Sequence, residues 1–232
     1  MEPELTEPRH GPRWAKATLD LFGMPLPVRE TVVIAVTTFA ILIDYYHDLV
    51  LPQSPILSQG IDRPLLFFVV PLAALLLLGE RPAEYGLRLG NWRLGLPVML
   101  LAMLLLAPVI LWLSGQPDFI GYYRLDAQAE RSVPHDQLGF ALAGFAADVL
   151  SAEFLFRGFL MWTLVRVAGP AGILMATIPF VFSHLGKPEL ETLTTLVGGL
   201  AFSWLAWRTR SVLYGGLVHA FILVLLLAAV NR

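Results

Sequence analysis

One segment of this sequence places ionisable residues inside an otherwise apolar stretch: Asp148-Val-Leu-Ser-Ala-Glu153-Phe-Leu-Phe-Arg157-Gly158. A charge in a spanning helix costs about 2.5–3.5 kcal/mol on insertion scales, so each one marks a candidate functional site. Glu153 and Arg157 are four residues apart, on one helix face, with the acid N-terminal to the base, the favourable order for a pair. Two histidines sit in apolar surroundings as well: His184 in Phe180-Val-Phe-Ser-His184 and His219 in Gly215-Gly-Leu-Val-His219. One carboxylate and two imidazoles in a water-poor cavity have a defined chemistry. Glu153 takes a proton from water, and His184 and His219 hold a developing oxyanion as hydrogen-bond donors. Arg157 orients Glu153. The same residue types also suit a zinc ion, but the His-Glu-x-x-His spacing is absent, and a metal would occupy the carboxylate needed as base. No cofactor is required by the hydrolytic reading, with a divalent metal such as zinc left open.

This chemistry needs the three residues at one depth. Gly169-Pro170 breaks the chain between the helices carrying Glu153 and His184. Glu153 lies 16 residues before Gly169 and His184 lies 14 after Pro170, or about 24 and 21 Å at 1.5 Å per residue. The next turn falls near Arg208-Thr-Arg210, and His219 is nine residues beyond it, about 13 Å from the same side. An offset of about 8–11 Å is left for helix tilt to absorb.

The elements that must do this positioning are membrane helices. Of 232 residues, 56% are hydrophobic and 15% charged, too few charges for a surface that faces water all round, since soluble domains carry about 25%. A net charge of −2 with no basic block excludes nucleic acid as a partner. Cysteine is absent, so there is neither a thiolate nucleophile nor a Cys-zinc cluster. Charge-poor runs cover Thr31–Ile43, Pro64–Gly79, Leu94–Pro117, Gln137–Ala147, Val167–Gly186, Thr192–Trp207 and Ser211–Asn231. They predict an all-α polytopic transmembrane helix bundle of about seven spans. Residues 1–30 form a polar, Pro-rich N-terminal segment without the apolar run of a cleaved signal peptide, and Trp14–Phe22 is expected to form a short interfacial amphipathic helix. Residues 31–232 read as a single transmembrane domain.

With the N-terminus inside, one face collects Arg9, Arg13, Lys16, Arg29, Arg81, Arg88, Arg93, Arg166, Arg208 and Arg210, twice the set of Arg63, Arg124, Arg131, Lys187 and Arg232 on the other. That bias favours a cytoplasmic N-terminus in a multi-pass cell-membrane protein, most simply a bacterial cytoplasmic membrane.

The three site segments, in this order, resemble the CPBP family, the Abi or CAAX prenyl protease type II intramembrane proteases. That family carries Glu-Glu-x-x-x-Arg, Phe-x-x-x-His and His-x-x-x-Asn on successive membrane helices. Glu153-Phe-Leu-Phe-Arg157-Gly158 matches the second Glu and the Arg, Phe180-Val-Phe-Ser-His184 matches the second motif, and His219 falls where the third begins. Tyr85-Gly-Leu-Arg88 and Trp92-Arg93 are similar to the segment preceding the core, so the resemblance spans about residues 80–230. It implies an intramembrane endopeptidase acting on a membrane-embedded or C-terminally anchored peptide or protein, with the lipid bilayer as its surroundings.

Two positions depart from the family. Its first Glu, the usual water-activating base, is Ala152, and its Asn is Leu223. Glu153 is then the acid left to act as base. Glu191 is a supporting candidate close to the second histidine, although an acid after Pro188 also suits a helix N-terminus. Asp148 is about 140° round the helix from Glu153 and is expected to face elsewhere. The departures make a catalytically inactive membrane partner, immunity- or chaperone-like, the alternative reading. A proton relay or transporter is the third, without the paired repeats that would support it. Asp44-Tyr-Tyr-His47-Asp48 reads as an interfacial Tyr belt with solvated acids, and Gly198-Gly199 as a close helix contact beside the site.

Overall fold

The computed structural model describes residues 12–49, 60–124 and 138–231. Among them are eight helices, α1 to α8, and one two-stranded hairpin. In order they are β1 (Thr18–Leu21), β2 (Met24–Pro27), α1 (Val28–Tyr46), α2 (Gly60–Leu77) and α3 (Trp92–Leu113). A short α4 (Pro117–Tyr123) precedes α5 (residues 138–168), α6 (Ala171–Phe182), α7 (Glu189–Thr209) and α8 (Leu213–Val230). Arg9, Arg131 and Arg232, which entered the orientation argument, lie outside the described residues.

The all-α bundle agrees with the expectation from composition. Of the seven expected spans, α2, α3 and α8 are long and apolar enough to cross a membrane by length and composition. The others fall short for identifiable reasons. α1 carries Arg29, Glu30 and Asp44, α5 carries Asp148, Glu153, Arg157 and Arg166, and α7 opens with Glu189 and Glu191. α6 has 12 residues, about 18 Å against a hydrocarbon core of about 30 Å.

The interfacial helix expected over Trp14–Phe22 is not formed. Arg13–Lys16 is a single 3-10 turn, and the strands that follow pair Leu19 with Leu26 and Leu21 with Met24. The reason is local. Pro25 and Pro27 lack the N–H groups a helix needs, and Phe22-Gly23 takes positive φ at both positions (55° and 80°), the requirement of a tight hairpin turn. Asp20 Oδ1 accepts from the Gly23 N–H at 2.7 Å and closes it.

α5 is the central element. It is apolar on every side around its middle, the pattern of a helix buried all round: Phe154, Leu155, Phe156, Phe159, Leu160, Met161 and Trp162 are all buried. They pack with Val33 and Ala40 of α1, Leu75 of α2, and Ala176 and Phe180 of α6. Two helices carry a π turn, Pro64–Val69 in α2 and Phe154–Leu160 in α5. The two turns face each other, with Phe67 on Phe156 and Phe68 on Phe154 at 6.4 and 5.1 Å between ring centres. Such turns mark functional positions more often than chance.

Inside lipid, apolar burial alone does not join helices, so backbones must come close. α5 and α6 do so across the Gly169-Pro170 turn, where a Cβ on Gly172 would sit 2.4 Å from the Val165 nitrogen. Backbone cannot move aside cheaply. Gly172→Ala is therefore expected to cost about 1–3 kcal/mol, read as a lower midpoint of thermal unfolding in detergent. Gly198→Ala, with nothing within 4 Å of the added Cβ, serves as the control and leaves the midpoint in place.

The turn between α7 and α8 is also pinned, which sets the depth of His219. The Asn91 N–H donates to Thr209 O at 2.7 Å and the Val212 N–H to Gly86 O at 3.1 Å, while the Tyr214 hydroxyl donates to Leu89 O at 2.8 Å. Beside this turn Tyr85 is buried with its hydroxyl 2.8 Å from Arg166 Nη1. Burial pushes its phenol up to about 12, against the pull of the Arg166 guanidinium, so it keeps its proton.

Candidate functional site

The site is assembled from α5, the end of α6 and α8. Glu153 is the last residue of the α-helical part of α5 and Arg157 lies inside the π turn that follows; both are 1% exposed. Arg157 Nη1 donates to Glu153 Oε1 at 3.0 Å. His219, in the second turn of α8, places Nδ1 2.8 Å from the same oxygen. Both contacts fall on Oε1, and no hydrogen bond among the described residues falls on Oε2.

Phe180 explains much of what surrounds them. α6 ends at Phe182, so the Phe180 carbonyl is one of the last four of the helix, left without an intrahelical partner. The His184 ring reaches back to it, with Nδ1 at 2.8 Å from Phe180 O. A spacing of four residues from Phe to His is the spacing that makes this reach. The Phe180 ring has a second task, lying under the Arg157 guanidinium with Cζ 3.7 Å from the ring centre. Arg157 Nη2 has no hydrogen-bond partner among the described residues, and the aromatic face is what stabilises that side of the cation. Gly199 of α7 admits this stack. A Cβ there would lie 3.2 Å from Phe180 Cδ1 and 3.5 Å from Arg157 Nη2. The close contact expected at Gly198-Gly199 therefore belongs to Gly199.

The two imidazoles are nearly parallel, 24° apart with ring centres 6.4 Å from each other. Phe202 also stacks on His219, with ring centres 5.5 Å apart. A carbonyl oxygen only accepts, so His184 Nδ1 carries the proton and its Nε2 is an acceptor when the ring is neutral. A carboxylate likewise takes the Nδ1 proton of His219. The second nitrogen of each ring is thus left for other contacts, and that of His219 becomes a donor when the ring is charged beside Glu153.

Glu153, Arg157, His184 and His219 are brought together. Glu191 is not among them. It accepts from the Tyr123 hydroxyl at 2.7 and 2.6 Å and from Lys187 Nζ at 3.0 Å. Asp148 turns away from Glu153 as its helical position requires, and Arg63 Nη1 donates to it at 2.9 Å. Arg63 also holds Asp44 through Nε at 2.8 Å, so Asp44 is a paired acid with a 16% exposed side chain and not the solvated one expected, whereas Tyr45 and Tyr46 beside it are exposed. This three-residue bridge across α1, α2 and α5 was not foreseen. Its signal was two acids and one arginine at the margins of three apolar runs. Among the described residues no group of three or more His, Asp or Glu is placed to hold a metal ion.

Ala152 packs on the buried cluster around α5, and Leu223 on a second cluster with Ile110, Phe119, Tyr123, Leu226 and Leu227. Both departures from the motif are apolar side chains in apolar surroundings.

Residues 134–225 match the family model described as type II CAAX prenyl endopeptidase Rce1-like. The matched stretch contains Glu153, Arg157, His184, Glu191 and His219 and ends within α8. No curated protein and no solved structure matches the chain.

Proposed function

We propose, on the premise that this polytopic helix bundle carries an Rce1-like type II CAAX prenyl endopeptidase segment, that the chain is an intramembrane endopeptidase. Its substrate is a membrane-embedded or C-terminally anchored peptide, and its setting is a cell membrane. The family supports a CAAX-type endopeptidase in general terms. The roles of individual residues are our reading.

The observation that carries it is the asymmetry of Glu153. Oε1 takes both Arg157 and His219, which leaves Oε2 of this buried carboxylate as the acceptor for a water proton. The water oxygen forms a bond to the scissile carbonyl carbon as its proton moves to Glu153 Oε2. The carbonyl oxygen becomes an oxyanion, held by the imidazole of His219. Collapse breaks the C–N bond, and the proton returns from Glu153 to the leaving amine. His184 enters differently from the donor role expected of it. Its Nδ1–H is spent on Phe180 O, so Nε2 orients the water as an acceptor. Arg157 positions Glu153 throughout.

The test uses the full chain in proteoliposomes with two fluorescent peptides, one prenylated near its C-terminus and one spanning the bilayer, and cleavage read by mass spectrometry. Wild-type protein is expected to cut at least one at an internal bond, and His184→Ala to lose about 10²-fold or more in rate, the usual loss of a proton-transfer partner. No cleavage of either peptide by the folded wild type would favour the inactive-partner reading instead.

A further inference from the structure

The hairpin ahead of α1 has two unlike faces. Residues paired across an antiparallel ribbon share a face, so Leu19, Leu21, Met24 and Leu26 lie on one side and Thr18, Asp20, Pro25 and Pro27 on the other. The apolar side is open: Leu19, Leu21 and Met24 are 52%, 46% and 53% exposed. Phe22 at the tip is 93% exposed. The base of the hairpin is fixed, with Ala15 and Val28 buried and the Val28 N–H donating to Ala17 O at 3.1 Å. A lone two-stranded ribbon is marginally stable at best in water, and a continuous apolar face of this kind is a contact surface.

We infer that the apolar face of this hairpin is seated in the interfacial layer of the lipid bilayer, with Phe22 and Leu21 among the acyl chains. Three features point to lipid as the occupant. The ribbon passes into α1 without an intervening residue, Pro27 ending β2 and Val28 opening the helix, and α1 itself exposes Ile34, Phe39 and Leu42. The hairpin is therefore continuous in the chain with a helix whose exposed large side chains are also apolar. Trp14 and Lys16, both exposed at its base, are the side-chain types that settle at the headgroup level and on anionic lipid. A second copy adding a strand beside β2 is disfavoured, because Pro25 and Pro27 remove donors from that edge. The seat lies on the side of the bundle where the α7–α8 turn is pinned, and α1, which it anchors, packs against α5.

The absence of cysteine makes the test clean. Single substitutions Leu21→Cys, Phe22→Cys, Thr18→Cys and Pro25→Cys in the full chain are labelled with an environment-sensitive fluorophore. The protein is reconstituted in vesicles of phosphatidylcholine and phosphatidylglycerol. Probes at Leu21→Cys and Phe22→Cys are expected to be blue-shifted and quenched several-fold more by lipid spin-labelled near the headgroup end of its chain than by aqueous iodide. Those at Thr18→Cys and Pro25→Cys are expected to show the reverse. Iodide quenching of all four alike, without lipid quenching, would place the hairpin in water and overturn the assignment. So would energy transfer between labelled copies that persists on dilution with lipid, since it would show a second copy on that face.

Discussion

Glu153→Gln is expected to abolish peptide cleavage, lowering the rate by about 10³-fold or more, in a protein that still folds but with a lower thermal midpoint, since Arg157 loses its buried counter-ion. The substitution keeps the shape of the side chain and one carbonyl oxygen, so Arg157 Nη1 and His219 Nδ1 still have an acceptor where Oε1 stands now, at 3.0 and 2.8 Å. What it removes is the second basic oxygen. An amide does not take a proton from water near neutral pH, and loss of a general base is worth about 10²–10⁴ in rate. The measurement is single-turnover cleavage in proteoliposomes, with elution profile and thermal midpoint recorded in parallel. Retention of a tenth of the wild-type rate would remove Glu153 from the base role. It would pass to His184 Nε2, the ring nitrogen that Phe180 O leaves unused.

How much of this was legible in the sequence differs from residue to residue, for physical reasons. Glu153, Arg157 and His184 stand out because an ionisable group in an apolar run is costly, and the depths of Glu153 and His184 agree by counting 1.5 Å per residue. His219 missed by about 8–11 Å on that count, yet its ring touches Glu153. Part of the difference lies in the π turn at Phe154–Leu160, where the Met161 N–H reaches back five residues to Phe156 O. A wider turn advances less along the axis and draws Glu153 toward the side from which α8 rises. No sequence rule announces that turn. Arg63 was read as a loop cation because Pro64 opens the apolar run. The helix begins earlier, at Gly60, and its partner Asp148 is 85 residues away, a separation at which local patterns are silent. Glu191 illustrates the opposite failure, since nearness in sequence to His184 suggested a shared site, while Tyr123 and Lys187 hold it elsewhere. The hairpin was legible and misread. Leu19 and Leu21 alternate with Asp20, and Gly23, Pro25 and Pro27 forbid a helix through the same stretch.

Arg157→Met is expected to destabilise the protein by about 3–5 kcal/mol, because removing one partner of a buried ion pair leaves the other uncompensated. Glu153 would keep only His219, itself half-buried, and the Phe180 ring would lose the cation it now carries at 3.7 Å. Met is chosen because its unbranched, polarisable chain fills the space left between Phe180 and Gly199 without adding a donor. Arg157→Lys is expected to rescue little of the stability. An ammonium has no planar face to lie on the Phe180 ring while also reaching Glu153. The decisive comparison is the double variant Glu153→Gln with Arg157→Met. With both charges gone there is no buried ion left to compensate, so its thermal midpoint in detergent is expected to recover most of the loss seen in Arg157→Met, a non-additive result that only coupled residues give. Its cleavage rate is expected to stay at the floor of Glu153→Gln. Recovery of stability without recovery of rate separates the two roles of the pair, Arg157 as the residue that makes a buried carboxylate tolerable and Glu153 as the one that uses it. If the double variant is instead as unstable as the sum of the singles, the pair is not coupled, and Arg157 contributes by packing against Phe180 alone.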